Sequence, residues 1–207
     1  VPKLHAFFSQ GRAITACLDP AGPHLNDRGE RICPVCAQEG RERITFPMVF
    51  CRACGQEFYS VAVDEVDGNN EGRLHPAELD AVDVPGQPGY LYPGRWNLEE
   101  APLPETWLTD KGNLRSRYRD AVPQIHRYCP DCNRILSPNH ESRITNPAAC
   151  THPHAYPVTF VPAPFLLCPS CGIVHDRRPR EFNKLFTFGS VGRSTATDVL
   201  INAGRVN

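Results

Sequence analysis

The chain has 207 residues, which is room for one domain or for two small ones joined by a linker. It contains 21 prolines and 15 glycines, and only 41% of its residues are apolar. Proline lacks an amide hydrogen and disrupts helices, so this composition excludes a helical bundle and a large parallel sheet. No apolar run approaches the about 20 residues of a membrane-spanning helix. Since the chain opens at Val1 without a leader, we expect a cytoplasmic piece of a longer protein with no membrane partner.

The formal net charge of −1 conceals a separation of charge along the chain. Residues 62–110 contain eleven acidic and two basic side chains, a balance of −9. Residues 111–207 contain thirteen basic and six acidic side chains, a balance of +7. The second region therefore indicates a surface that faces phosphate, with ordinary solvated surface as the alternative interpretation.

The first part of the chain has the pattern of short strands around a metal-binding turn. Residues 3–18 predict one or two short strands. Residues 44–50 run directly into Cys51, and residues 58–63 alternate like a strand that leaves the turn. Strand, metal-binding turn and strand in succession are typical of a zinc ribbon hairpin. Residues 1–63 are therefore predicted to form a first zinc ribbon with N-terminal strands.

Three further segments follow in chain order. Residues 64–120 are predicted to be an acidic irregular excursion that ends in a short basic segment, because turn-forming residues are frequent there. Residues 121–180 predict a second zinc ribbon. Residues 181–207 predict one or two short helices, over 181–188 and 194–203, that lead into a following domain. The expected fold class is a small, β-rich, loop-heavy module of two zinc ribbons with these C-terminal helices.

Eight of the ten cysteines fall in four pairs whose members are separated by two residues. Each such turn directs two thiolates at one centre, and two turns supply the four-thiolate tetrahedron that zinc prefers. Redox chemistry of the thioredoxin type needs a single motif at the start of a helix, so four copies among prolines favour metal binding. The predicted metal ligands are Cys33, Cys36, Cys51, Cys54, Cys129, Cys132, Cys168 and Cys171.

The grouping of these four turns follows from their order in the chain. Turn 33–36 is paired with turn 51–54, and turn 129–132 with turn 168–171, with 14 and 35 residues between the members of each pair. This grouping predicts two Zn²⁺ ions and leaves no open coordination position for catalysis. A crossed arrangement, in which turns from distant segments share a metal, is the alternative, and iron suits four thiolates as well as zinc does.

Two cysteines lie outside the four turns. Cys17 is predicted to be a small buried apolar side chain, because apolar residues surround it. Cys150 lies close to His152 and His154 in the sequence. A third metal site at Cys150, or an exchange of a ligand with the second ribbon, stays open as an alternative.

Basic residues concentrate near the second ribbon and in the C-terminal segment. Arginine and lysine side chains contact the phosphates of nucleic acids, and such contacts position a protein without reading sequence. The candidate DNA contacts are Arg127, Arg134, Arg177, Arg178, Arg180, Lys184 and Arg193.

Several stretches resemble a known family. Residues 4–8, 16–20, 46–59 and 181–197 are similar to the cysteine-rich insertion of large bacterial DEAD/DEAH-box (superfamily 2) helicases with a DUF1998-type C-terminal region, as in the phage-defence systems DISARM and Druantia. The resemblance implies a non-catalytic scaffold between two RecA-like motor domains of the same parent chain. It also implies DNA, single-stranded or at a junction, as a partner, while ATP and Mg²⁺ are bound only by the parent chain. An adaptor that docks another defence subunit without touching nucleic acid is the alternative function.

Overall fold

The structure is a computed structural model that describes residues 14–64, 71–79, 84–138, 151 and 153–187. Within these ranges the chain forms ten strands, one five-residue α-helix and three short 3-10 helices. None of the helices in the described ranges has the length and apolar composition needed to cross a membrane. The strands are β1 (Thr15–Cys17), β2 (Leu25–Asn26), β3 (Thr45–Cys51), β4 (Glu57–Val63), β5 (Glu71–Pro76), β6 (Gln87–Tyr92), β7 (Gln124–Cys129), β8 (Arg134–Leu136), β9 (Tyr156–Pro162) and β10 (Leu185–Phe186). The helices are α1 (Pro34–Gln38) and the 3-10 helices Glu105–Trp107, Ser116–Ala121 and Glu181–Asn183.

Six of these strands close into an antiparallel barrel. Their order around the barrel is β4, β5, β8, β7, β9 and β6, and β6 pairs again with β4. The ring closes at β4, where Val61 pairs with Pro76 of β5 on one side and with Gly89 of β6 on the other. The other four strands, β1, β2, β3 and β10, extend the sheet from β4 through β3. The prediction of a loop-heavy module of two zinc ribbons with C-terminal helices is therefore wrong, because a closed barrel organises the chain.

Both faces of β4 are buried, which explains its nearly continuous apolar sequence. Side chains alternate across a strand, and Tyr59, Val61 and Val63 accordingly share one face in the main core. On the opposite face, Phe58 packs in a second core that includes Phe165 and two cysteines of the metal-binding turns. The strand thus connects the barrel interior to the base of a metal-binding region.

The segment predicted to be an irregular acidic excursion provides two barrel strands, β5 and β6. Its glycines mark close packing between strands. A Cβ atom on Gly89 would lie 2.4 Å from a ring carbon of Phe160, and one on Gly72 would lie 2.7 Å from Cγ1 of Val63. These contacts are too short for any side chain, so glycine is required within the strands themselves.

The barrel takes strands from three of the four predicted segments, so the boundaries expected at residues 63 and 120 fall within one folded unit. In the fourth segment, the expected helix over 181–188 is replaced by the 3-10 helix Glu181–Asn183 and by β10, which pairs with β3. The reason is a tertiary contact, because Leu185 is fully buried against the metal-binding core. The helix predicted over 194–203 lies outside the described residues.

Candidate metal centres

The first cluster consists of Cys17, His24, Cys33 and Cys36, whose ligand atoms all lie within 4.8 Å of one another. Cys17 is the last residue of β1, and His24 immediately precedes β2. Cys33 is the N-cap residue of α1, and Cys36 lies within that helix. All three cysteines have no solvent exposure. A short hairpin and a single helical turn therefore place four donor atoms around one point.

The distances in the first cluster fit a tetrahedral zinc ion. His24 Nδ1 lies 3.4 Å from Cys17 Sγ and 3.4 Å from Cys36 Sγ. The same nitrogen lies 3.7 Å from Cys33 Sγ, and the sulfurs of Cys17 and Cys36 are 3.9 Å apart. Zinc bond lengths in a tetrahedron require about 3.6 Å between nitrogen and sulfur and about 3.8 Å between two sulfurs. The cluster could therefore hold Zn²⁺ through three thiolates and one imidazole.

A charged network lies directly beside the first cluster. The Asp19 carboxylate is 3.7 Å from Cys36 Sγ. The same carboxylate forms ion pairs with the guanidinium groups of Arg41 at 2.8 Å and Arg43 at 3.0 Å. Burial disfavours the charged form of Asp19, but the Ala21 amide and the two guanidinium groups outweigh it and hold the pKa below its ordinary value. The two arginines thus offset the negative charge that thiolates bring into this region.

The second cluster consists of Cys51, Cys54, Cys168 and Cys171, again with all ligand atoms within 4.8 Å of one another. Cys54 Sγ and Cys168 Sγ are 3.9 Å apart, although 114 positions separate them in the chain. Cys51 and Cys168 are buried, whereas Cys54 and Cys171 are exposed. Four thiolates at these distances could hold one Zn²⁺ ion.

The two turns of the second cluster have the same backbone geometry. In each turn the residue after the second cysteine donates its amide to the carbonyl of the first cysteine, from Gly55 to Cys51 at 2.8 Å and from Gly172 to Cys168 at 2.9 Å. Gly55 has a φ of 77° and Gly172 a φ of 71°, which is the left-handed conformation that glycine adopts without strain. The glycine therefore allows each turn to fold back so that both sulfurs face the ion.

Each cluster contains thiols whose pKa is raised and which therefore favour the protonated form. Burial is the main cause that raises the pKa of Cys36 to about 12 and of Cys54 to about 11. The hydrogen bond from Cys168 is the main cause that lowers the pKa of Cys51 to about 5, and neighbouring backbone amides add to it. Metal binding requires thiolates, so it must displace the protons of the raised groups, and metal affinity rises with pH.

The structure corrects the grouping of the turns by chain order. Turn 33–36 does not meet turn 51–54; it is completed by Cys17 and His24. Turn 51–54 meets turn 168–171, which is the crossed alternative. Chain order failed because the spacing of cysteines defines each turn but not which turns the barrel brings together.

The sequence interpretation missed two ligands of the first cluster. Cys17 is buried as predicted, but its thiol lies among the ligand atoms and not in an apolar core. His24 was not singled out at all. The available signal was a histidine nine positions before Cys33 and seven after Cys17, because a two-cysteine turn supplies only two of the four ligands of a zinc site.

The remaining predicted ligands, Cys129 and Cys132, belong to neither cluster. Cys129 is buried at the end of β7, and Cys132 is half-buried in the turn that leads to β8. Cys150 and His152 lie outside the described residues. His154 is described, and its Nδ1 lies 2.8 Å from an Asp131 carboxylate oxygen.

The candidate DNA contacts differ in accessibility. Arg177, Arg178 and Arg180 are exposed, whereas Arg127 and Arg134 are half-buried in strands. Lys184 is only 1% exposed and forms an ion pair with Glu181 at 2.9 Å. This burial removes Lys184 from the predicted DNA-contacting surface. Arg193 lies outside the described residues.

A second basic segment, which sequence reasoning did not single out for DNA binding, adjoins these arginines. It comprises Arg115, Arg117 and Arg119, all exposed, at the 3-10 helix Ser116–Ala121. Arg177 Nη2 donates a hydrogen bond to the Arg117 carbonyl at 2.7 Å. The Arg117 guanidinium lies over the Tyr118 ring at 4.8 Å. The sequence signal that could have identified this segment was the concentration of arginine within residues 115–119.

No protein-family model matches the chain, and no curated protein or solved structure is similar to it. The class of protein is therefore defined by the fold and the clusters: an antiparallel β-barrel with two sites of cysteine and histidine that could hold metal. The resemblance to helicase insertions rests on the sequence stretches alone and stays a prediction.

Proposed function

We propose that this chain is a non-catalytic, metal-stabilised module that binds nucleic acid within an ATP-dependent DNA helicase of a bacterial antiphage defence system. The observation that supports nucleic-acid binding most directly is the 2.7 Å hydrogen bond between Arg177 and the Arg117 carbonyl. This contact brings together two arginine-rich segments that lie 60 positions apart in the chain. Density of positive charge on one surface favours a polyanionic partner.

The proposed binding site is the arginine surface, which we define by six exposed side chains. The acids next to it in sequence are Asp120, Asp176 and Glu181. Glu181 is buried and paired with Lys184, so positive charge is in excess. Guanidinium groups bind phosphate oxygens in a bidentate manner, and they do so without regard to base sequence. The arginine surface consists of Arg115, Arg117, Arg119, Arg177, Arg178 and Arg180.

Aromatic stacking holds part of the arginine surface in a fixed orientation. The Tyr118 ring stacks on buried Trp107 with centroids 4.8 Å apart and an angle of 7° between the planes. Because the Arg117 guanidinium lies over the same Tyr118 ring, its side chain loses less conformational freedom when it binds phosphate. The stack therefore favours binding by a preorganised guanidinium group.

In this proposal the metal clusters are structural. Each cluster has four protein ligands, so a bound Zn²⁺ ion has no open position for a substrate or an activated water. The chain itself is then not an enzyme. A reducing, cytoplasmic location agrees with clusters whose cysteines are thiols and form no disulfide among the described residues.

The helicase part of the proposal is supported by the sequence stretches that resemble cysteine-rich helicase insertions. In this arrangement the RecA-like motor domains of the parent chain bind ATP and Mg²⁺, and the barrel provides a rigid surface against the DNA. A closed barrel is suited to this role because each of its six strands is hydrogen-bonded on both sides.

The test is the binding of a fluorescent single-stranded oligonucleotide at several salt concentrations. Each phosphate that the arginine surface neutralises contributes about −0.7 to the slope of log K against log salt. We expect Arg117→Ala, Arg177→Ala and Arg178→Ala together to weaken binding at least about tenfold and to reduce the slope by about 2. The metal content should stay unchanged.

The matched control is the double variant Arg28→Ala and Arg31→Ala, which removes two exposed arginines from the loop after β2. It should leave the affinity for the oligonucleotide within about twofold of the unaltered chain. The proposed site would be contradicted if the control variant lost as much affinity for the oligonucleotide as the test variant. A slope of log K against log salt of zero in the unaltered chain would contradict it as well.

A second candidate function, a protein-interaction adaptor without nucleic-acid contact, is favoured by one observation. Leu25, Ile32 and Val35, which lie next to ligands of the first cluster in sequence, are 65%, 40% and 39% exposed. Exposed apolar side chains in one region favour protein contacts. Leu25→Asp with Val35→Asp should abolish capture of another defence subunit if the adaptor function is correct. Under the nucleic-acid proposal these variants should leave oligonucleotide binding unchanged.

A further inference from the structure

Phe182 exposes its ring to solvent on a turn that contacts the second cluster's turn 51–54. The Phe182 side chain is 43% exposed. Every other phenylalanine, tyrosine and tryptophan in the described ranges is buried or half-buried. A planar apolar ring is thus presented at this one point of the described surface.

The 3-10 helix Glu181–Asn183 fixes Phe182 on the outside. Such a helix has three residues per turn, so side chains three positions apart lie on the same face. Glu181 and Lys184 share the buried face, where their ion pair of 2.9 Å anchors the turn. Phe182 lies on a different face of this anchored turn. Its backbone is therefore already ordered before any ligand binds.

Arg52 lies directly against the Phe182 turn. Its Nε donates to the Phe182 carbonyl at 2.7 Å, and its backbone amide donates to the Lys184 carbonyl at 3.0 Å. Its guanidinium lies over the Phe186 ring, 5.7 Å from the centroid. Arg52 is exposed and has no carboxylate partner among the described residues. These contacts orient the side chain and leave its two terminal nitrogens available to a phosphate.

Arg180 connects the same turn to the arginine surface. It is the N-cap residue of the 3-10 helix, and its carbonyl accepts a hydrogen bond from the Asn183 amide at 3.0 Å. Arg180 is exposed, as is Arg178 before it. The ring of Phe182 therefore lies between an exposed arginine of the arginine surface and Arg52 of turn 51–54.

Positive charge is in excess around the ring. Within five positions of Phe182 or Arg52 in the sequence, the acids are Glu57 and Glu181, and Lys184 pairs with Glu181. The same ranges contain four arginines. An aromatic ring among guanidinium groups is the combination that binds single strands, because every base has a face that can stack and every nucleotide has a phosphate.

We propose that Phe182 stacks on an unpaired base of single-stranded DNA, while Arg52 and Arg180 bind phosphates of the same strand. This inference rests on the proposed function and adds to it a preference for single strands. In a duplex the bases stack on one another, so the ring gains nothing from a double strand.

The primary test compares two oligonucleotides of equal length at low salt, a thymidine strand and a strand of stable abasic sites. Phe182→Ala should weaken binding of the full chain to the thymidine strand at least about fivefold. Its affinity for the abasic strand should stay within about twofold of the unaltered chain. Equal loss with both strands, or an unchanged affinity for the thymidine strand, would overturn the inference.

The salt dependence separates the ring from the arginines. Phe182 has no charge, so Phe182→Ala should leave the slope of log K against log salt unchanged. Arg52→Gln should weaken binding to both strands and reduce the magnitude of the slope by about 0.7, with the metal content unchanged. An unchanged slope in Arg52→Gln would show that Arg52 binds no phosphate.

Three controls test the role of the ring itself. Phe182→Trp should retain the affinity for the thymidine strand, and Phe182→Leu, which is apolar but not planar, should lose it as Phe182→Ala does. Leu25→Ala, which alters a side chain 65% exposed on β2, should have no effect. Phe182→Ala should also leave the affinity for duplex DNA unchanged. Full affinity in Phe182→Leu would show that stacking is not the cause.

The outcomes distinguish this inference from the proposed function. If the arginine variant of the earlier test loses affinity for the thymidine strand but Phe182→Ala does not, only the inference about the ring is wrong. If the unaltered chain binds no oligonucleotide, the proposed function is wrong and this inference is overturned with it.

Discussion

The two clusters that could hold metal have similar ligand chemistry but connect very different parts of the chain. The first cluster gathers its donors from a stretch in which Cys17 and Cys36 are 19 positions apart. The second joins turns that are 114 positions apart. A cross-link that closes a longer loop removes more conformational entropy from the unfolded chain. The comparison indicates that the first cluster stabilises a local extension, whereas the second stabilises the barrel as a whole.

The surroundings of the two clusters reinforce this difference. The first cluster packs as a separate small core of Cys17, Cys33 and Cys36. In the second, Cys51 and Cys168 belong to a core that includes Phe58, Phe165 and other barrel residues. Loss of the second metal ion should therefore disturb apolar packing on the outer face of β4, and loss of the first should not.

The largest expected effect separates the two clusters by one substitution in each. Cys51→Ser should lose one metal equivalent and lower the Tm of the whole chain by roughly 10–20 °C, because a loss of about 5 kcal/mol produces such a shift at this length. Cys33→Ser should also lose one equivalent but lower the Tm of the barrel by less than about 5 °C. Calorimetry measures both transitions.

Hydrogen exchange provides the spatial check on this comparison. In Cys33→Ser, faster exchange should be confined to residues before β3, whereas in Cys51→Ser it should extend through β4 and β9. Equal destabilisation by the two substitutions, with the same spread of exchange, would contradict the distinction between a local and a global cluster.

The second prediction concerns the ion pair at the 3-10 helix Glu181–Asn183, which precedes β10 and lies beside the second cluster. Lys184 Nζ lies 2.9 Å from Glu181 Oε1, and the Lys184 carbonyl accepts a hydrogen bond from the Arg52 amide in turn 51–54. Lys184→Met leaves the buried Glu181 carboxylate without its cation, so we expect a loss of about 3–5 kcal/mol in the free energy of unfolding. Urea denaturation measures this loss.

The matched double variant is Lys184→Met with Glu181→Gln, which removes both charges. In the unaltered chain, the Tyr90 hydroxyl and the Phe165 amide donate to Oε2 of Glu181 at 2.7 Å and 2.9 Å. The side-chain amide oxygen introduced by Glu181→Gln can still accept both hydrogen bonds. Most of the lost stability should return in the double variant. A double variant as unstable as Lys184→Met alone would show that the ion pair is not the cause.

The smallest expected effect is a difference in the reactivity of the thiols. Cys54 and Cys171 are exposed, whereas the three cysteines of the first cluster are not. During slow chelation, iodoacetamide should therefore modify Cys54 and Cys171 at least about tenfold faster than Cys17, Cys33 or Cys36. Peptide mass spectrometry measures the rates, and equal rates in both clusters would show that burial does not protect the first.

The elements next to the metal-binding turns were predictable from the sequence. Strands were expected over 44–50 and 58–63, and the structure has Thr45–Cys51 and Glu57–Val63. These strands are short runs rich in apolar residues with a clear turn between them, so local pattern was sufficient. The expectation of metal ligands in turns 33–36, 51–54 and 168–171 agrees with two clusters that could hold zinc.

The barrel itself was not predictable because its signals are not local. Gly72 and Gly89 were interpreted as turn residues, but each is required by a side chain on another strand, Val63 or Phe160. Pro76 and Pro88 lie within strands β5 and β6, where proline weakens any prediction of a strand. The crossed grouping of the turns depends on this same barrel, so it could not be deduced from cysteine spacing.

The closure of the six-stranded ring at β4 also determines how the module behaves among neighbours. A sheet with unpaired outer strands offers backbone donors and acceptors to any other chain, which promotes fibre formation and domain exchange. In the described part of this chain, the outermost strands are β2 and β10, and each is only two residues long. Such short edge strands offer few backbone groups to a foreign strand, so the sheet is a poor template for aggregation.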